Sequence, residues 1–241
     1  MFKTNLPKNI EEILYQEPIT NLNILGFFEK HTPLQIKEYG NSTMISGQSD
    51  ELWWYLHCNS QEDFDKFTDE LSTGNHFFSI IPDWILTRLK SQFQIHWVLT
   101  CNKFYLPNEV ELPNIDIKIE RLIPEDSYSI FEHSNYKAFT SREYIEEQIV
   151  CRSGAAFRDA KKLAGWALFH DDGAMGMLHV VDDYRRKGVA RTLMVELCKI
   201  QRSQNRIPYT SVEPTNIASS NLVKSLGFVN TGTVHWVKFS K

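Results

Sequence analysis

"MGMLHVVDDYRRKGVARTL", residues 175–193, joins three patterns in one short run. MGMLHVV is apolar enough to form a central β-strand. After it, Val189, Leu193, Leu197 and Ile200 recur at i, i+4, i+8 and i+11, the stripe of an amphipathic helix. Between them lies the densest basic cluster of the chain, Arg185, Arg186 and Lys187, closed by Gly188. A strand-to-helix turn aims the first free N–H groups of the helix, and the positive end of its dipole, back into the loop. That makes an anion site before any side chain is counted. Gly188 removes a Cβ that would hinder a phosphate, and the three cations add charge at the rim. The predicted ligand is a phosphate or pyrophosphate.

The GxxxxGK[ST] of a P-loop and the GxGxxG of a dinucleotide fold are both absent. Arg185-x-x-Gly188-x-Ala190 instead resembles the R/Q-x-x-G-x-G/A motif of the GNAT acyltransferase superfamily. VEPTNIASSNLVKSLGF, residues 212–228, resembles that family's later segment, through Asn216, Ser219, Leu226, Gly227 and Phe228. One helix and one strand separate the two, as the family's fold requires. The run 165–188 and the late HWVKF, 235–239, are similar to the glycine N-acyltransferase and FR47-like branch.

The resemblance implies a mixed α/β (α+β) sheet. It places a GNAT N-acyltransferase domain over 111–241, behind an N-terminal α/β domain over 1–110. The resemblance implies that this first domain is a degenerate copy of the same fold; the residues themselves show only that it has no cofactor motif. The resemblance also implies transfer of an acyl group from acetyl-CoA, or another acyl-CoA, to a small-molecule amine such as an amino acid. The amine would attack the thioester directly. Pantetheine contacts are expected at His179, Val180 and Val181. The pyrophosphate would be held by Arg185, Arg186, Lys187, Gly188, Val189, Ala190 and Arg191, with Asn216 and Ser219 from the later segment.

An alkylammonium must lose a proton before it has a lone pair to attack with. Glu213, at a strand end, and His179, on the central strand, are the candidate catalytic bases, and Asp182 is third. Many family members carry a Tyr in the late helix that protonates the leaving thiolate. Val223 stands at that position here and has no proton to give. Tyr209, Ser219 and His235 are weaker substitutes, and Cys198 reads as a packing residue. Two other functions fit the same motifs: a non-catalytic acyl-CoA sensor, and a protein lysine acetyltransferase.

The rest of the chain narrows the field. Of 241 residues, 30 are acidic and 26 basic, a net charge of −4, which disfavours a general nucleic-acid binder. The four cysteines form no CxxC pair, and no Cys/His spacing suits a metal. No apolar run approaches about 20 residues, and the first residues lack the apolar core of a secretory leader. The expectation is a cytoplasmic protein without metal, membrane or nucleic-acid partners, with a homodimer as its form of self-association.

Element patterns complete the reading. Helices are expected over 10–17 and 61–72 and from Asp83, and strands over 41–47, 52–58, 76–81 and 94–106. Trp53, Trp54, Phe77, Phe78 and Trp97 read as core. YLPNEVELPNID, 105–116, reads as the boundary. Beyond it are expected an edge or half-buried strand over 115–122, helices over 124–134 and 141–152, and three strands within 155–183. A helix over 188–203, a strand over 208–213, a helix over 215–228 and one or two strands over 229–239 complete the series.

Overall fold

The computed structural model describes residues 3–134, 136–137 and 140–241. The chain divides into two compact units. One holds 3–103, 212–216 and 230–241; the other holds Phe104–Ser211 and Ile217–Val229. Where the sequence suggested a single cut near 110, the chain returns to its first unit twice, the second time with its last strand.

The first unit opens with helices α1 (Lys8–Leu14) and α2 (Leu22–Phe28) and strands β1 (Gln35–Tyr39), β2 (Ser42–Gln48) and β3 (Leu52–His57). Helix α3 (Gln61–Asp69), strand β4 (Asn75–Pro82), helix α4 (Asp83–Gln92) and strand β5 (Gln94–Tyr105) follow. α2 and β1 carry no pattern that the sequence reading recognised. All seven residues of α2 are buried, so it has no polar face to betray a helical period. Ser60 caps α3 by accepting from the Asp63 N–H at 3.1 Å. Phe64, Phe67, Phe78, Val237 and Phe239 form the centre of the core. Of the five aromatics read as core, Trp54 and Phe78 are buried, whereas Trp53, Phe77 and Trp97 are only half-buried. Trp53 and Phe77 neighbour those two in sequence and so face the other side of the strands, where they meet edge to face at 5.4 Å.

The second unit contains β6 (Glu120–Arg121), α5 (Ser127–Glu132), α6 (Arg142–Arg152), β7 (Gly154–Asp159), β8 (Lys162–Phe169) and β9 (Met175–Val180). It continues with α7 (Val189–Ser203), β10 (Tyr209–Val212) and α8 (Ile217–Ser225). The sheet order here is β10-β9-β8-β7-β6, antiparallel except for the β9·β10 pair. The strand expected over 115–122 is reduced to two paired residues. Pro113 removes one ladder donor just upstream, and Ile117 turns toward Gly188, where its Cδ1 lies 3.7 Å from an idealised Cβ. The β7–β8 hairpin turns on Ala160 and Lys161, both at positive φ (46° and 72°), as a tight two-residue turn requires.

Strand β11 (Val229–Ser240) leaves the second unit and joins the first. It pairs antiparallel with β4, while β4 pairs parallel with β3 on its other edge. No helix among the described residues is long and apolar enough to cross a membrane.

Candidate functional site

Strand β9 is distorted where it matters. Trp166 pairs with His179 and Leu168 with Gly176, so β9 spends one residue more than β8 across this stretch. The surplus is a bulge, with Met177 at φ 47°. On the opposite edge, Thr210↔Met175 is the one β9·β10 pair among the described residues, reinforced by Thr210 Oγ1 donating to the Met175 carbonyl at 2.6 Å. Beyond that pair β9 runs on unladdered, and its edge opens. The Val181 N–H donates to Ala164 on β8 at 2.9 Å. By the alternation of an antiparallel ladder, the N–H of Val180 then faces the open edge. The Val180 carbonyl confirms this geometry, because it accepts from Arg185 Nε at 2.9 Å rather than from β8.

The turn after β9 is a short 3-10 turn, Asp182–Tyr184, followed by an irregular loop into α7. Arg186 has φ 60° and Gly188 has φ 84°. Gly188 is required by that left-handed backbone, since its Cβ would meet nothing closer than Ile117. Its carbonyl accepts from Thr192 N at 3.0 Å, the first rung of the helix. The N–H groups of Val189, Ala190 and Arg191 therefore precede the ladder, and no side chain caps them.

The expected coenzyme residues fall into distinct places. Arg186, Lys187 and Gly188 are exposed on the loop, and Val189 is buried behind it. Lys187 Nζ lies 5.7 Å over the Tyr184 ring, and Tyr184 donates to Asp159 at 2.6 Å, so the loop is tied to the β7–β8 hairpin. Arg185 spans the Val180 carbonyl and Asp182, whose carboxylate is 2.9 Å away. Asp182, a third candidate base on sequence grounds, is thus the ion-pair partner of the loop. Arg191 reaches Ser225 Oγ at 3.0 Å, linking α7 to the end of α8. It lines an open cavity of about 610 Å³ with Val110, Leu112, Ser225 and Gly227. Ser219 lies in the first turn of α8, and Asn216 bonds back to the Glu213 carbonyl at 2.9 Å in the turn before it.

His179 is half-buried and stacks nearly flat on Trp166, with ring centroids 4.4 Å apart and an interplanar angle of 16°. Burial, then His133 and Arg185, push its imidazole below the ordinary histidine range. It is neutral at neutral pH and holds a lone pair. Glu213 and Asn216 belong to the first unit, where the Glu213 charge helps burial push the Cys101 thiol up to about 12. The weaker candidates have structural duties. Tyr209 is buried and donates to the Asp172 carbonyl. His235, in the first unit, bridges Thr100 at 2.9 Å and Asp83 at 2.8 Å. Val223 is 2% exposed and packs in α8, and Cys198 is fully buried with its thiol pushed to about 12. His133, at the end of α5, stands 5.4 Å from His179 and is absent from the sequence reading. Nothing marks it in sequence, because α5 and β9 meet only in the fold.

Comparison with known proteins agrees with this architecture. Residues 153–237 match the model of the family described as FR47-like protein. No curated protein matches the chain. Among solved structures, a Drosophila protein is similar over 96% of this chain and 86% of its own, at 17% identity and a TM-score of 0.72. A GCN5-related N-acetyltransferase-like protein from Streptococcus suis is similar over 95% and 98%, at 11% identity and 0.56. A tandem GNAT protein from the clavulanic acid biosynthesis pathway is similar over 92% and 87%, at 12% identity and 0.51. At these identities the likeness speaks for the fold. The bulged and opened strand and the glycine-capped turn thus lie within residues 153–237, the part of the chain that matches the FR47-like family model, on a fold shared with solved GNAT-type structures.

Proposed function

We propose that this protein is an acyl-CoA-dependent N-acyltransferase that moves an acetyl group from acetyl-CoA to the amine of a small molecule such as an amino acid. The observation that carries the reading is the β9–α7 turn, where uncapped N–H groups, Gly188 at φ 84° and exposed Arg186 and Lys187 converge. These residues fit a pyrophosphate: donors come from backbone and charge from the rim. Arg185 anchors the turn to the end of β9 and adds its charge from behind.

Acyl-CoA supplies an activated thioester. The chain supplies placement and proton handling. The open edge of β9 leaves the Val180 N–H available to an extended amide-bearing arm, and a backbone donor of this segment would stabilise the charge developing on the thioester carbonyl oxygen. Holding amine and thioester in line supplies much of the acceleration. His179, neutral and half-buried on the same strand, takes the proton of the acceptor ammonium. Glu213 is the second candidate for that role.

The experiment is calorimetry of acetyl-CoA binding together with thiol release over a panel of amines. Tight binding with turnover on free amines supports the reading, and turnover confined to peptides points to a lysine acetyltransferase. One observation favours a second reading: Val223, buried at 2%, removes the family's usual acid. Binding without turnover across the panel would make the protein an acyl-CoA sensor.

A further inference from the structure

His179 has a neighbour whose geometry suits more than packing. The His133 ring stands 5.4 Å from the His179 ring at 56°, and 5.5 Å edge-on from Trp166. His133 Nδ1 lies 2.8 Å from the Ser129 carbonyl one helical turn back. A carbonyl only accepts, so Nδ1 carries the hydrogen and the neutral ring keeps its lone pair on Nε2. His179 is half-buried and clamped by Trp166, whereas His133 is exposed. Two imidazoles thus stand in series, one on the opened strand and one in contact with solvent.

We propose that His133 is a relay residue that acts through His179 to pass to solvent the proton given up by the acceptor ammonium. The inference rests on the acyltransferase reading above. In the balanced step, the ammonium loses one proton to His179, and the freed lone pair forms the C–N bond as the C–S bond breaks. Sulfur leaves with the electron pair and takes up the second nitrogen proton through solvent, giving amide and thiol. The first proton passes from His179 to His133 Nε2 and on to bulk, across a gap that one water can bridge. The net products are amide, thiol and one proton.

Other ionisable groups surround the pair. Arg185 and Asp182 face His179 from the loop after β9. Tyr144 on α6 packs into the same apolar cluster as Trp166, with its oxygen accepting from the Asp171 N–H at 3.2 Å. Glu132, beside His133, is committed to Lys137 at 3.1 Å. Of the groups named here, His133 is the exposed one that combines a fixed lone pair with proximity to His179.

The test compares wild type, His133→Asn and His133→Ala by thiol release from acetyl-CoA across pH, with calorimetry of acetyl-CoA and an NMR titration of the His179 ring. The expected result is a loss in kcat of about 10-fold, somewhat below a full general-base deletion, with acetyl-CoA affinity unchanged. The acid limb and the His179 titration should both move to higher pH, and added imidazole should restore part of the His133→Ala rate. An active wild type whose kcat, acid limb and His179 titration all ignore His133→Asn overturns the relay alone. A wild type that binds acetyl-CoA but transfers to no amine overturns the acyltransferase reading and the relay with it.

Discussion

Strand β4 runs into helix α4 as β9 runs into α7, and each strand holds one non-glycine residue at positive φ: Ile80 at 56° and Met177 at 47°. β4 is paired with β11 on one edge and with β3 on the other over three residue pairs, the last at Ser79, so Ile80 follows the end of the β3 ladder. The strands differ in how far that second edge is held, and the turns that follow them differ more. β9 meets β10 at one residue pair and then opens. At the first junction Pro82 removes an N–H and Asp83 puts a carboxylate in the first turn of α4. That carboxylate is already held by His235. At the second, a loop with Gly188 at φ 84° delivers uncapped N–H groups and cations. A bulge alone therefore makes no site. A ligand also needs an unpaired strand edge and an electropositive turn at the same place.

The comparison breaks most directly at Gly188. Gly188→Val puts a β-branched residue at φ 84°, which costs about 1–3 kcal/mol or moves the loop. Acetyl-CoA affinity should fall by about 100-fold, or ~2.7 kcal/mol, by calorimetry. Pro82→Gly, at the first junction, should leave that affinity untouched. Equal affinities in wild type and Gly188→Val would end the pyrophosphate assignment.

His179→Asn comes next, with kcat lower by about 100-fold or more and acetyl-CoA binding retained. The wild-type rate should hold as pH falls to about 6.5 and decline only below it, because burial keeps the imidazole neutral further into acid. A rate that rises on acidification contradicts that role. The same shift has a stability sign. The folded value lies below the unfolded one, so between them the unfolded chain binds more protons. Stability should fall as pH drops from about 6.5 into that window, and His57, depressed by burial in the first unit, adds to the loss. Melting temperature against pH measures both, and each His→Asn variant should flatten its own share.

Val223→Tyr tests the closed packing of α8 in the second unit. The site is closed, so the larger ring should destabilise by about 1–3 kcal/mol in denaturant, without a matching gain in turnover. A stable variant with higher kcat would show that the pocket accepts the usual acid. The smallest effect belongs to Tyr184→Phe. It removes the bond to Asp159 and should cost under about 1 kcal/mol, with a few-fold weaker acetyl-CoA affinity as the loop loosens.

Much of the β9–α7 turn was legible because its parts are adjacent in the chain. The apolar strand, the basic run, the glycine and the helix stripe all lie within 175–200. The hairpin strands and α6, with its Ser141 cap, were legible for the same reason. Reading failed where neighbours in space decide the outcome. α2 is buried on every side, and the strand expected over 115–122 gave way to a contact between Ile117 and Gly188. Trp53, Phe77 and Trp97 were sorted by strand face, which composition does not reveal.

The sequence by itself determined the strand-to-helix turn between β9 and α7, because its N–H donors, charge and glycine are properties of consecutive residues. It also determined the missing acid, since Val223 cannot ionise in any fold. Tertiary structure alone decided that β9 opens beyond Thr210, that the last strand returns to the first unit, and that His133 comes to lie beside His179. Each of these depends on which edges and faces meet across long loops, and local periodicity carries no record of that choice.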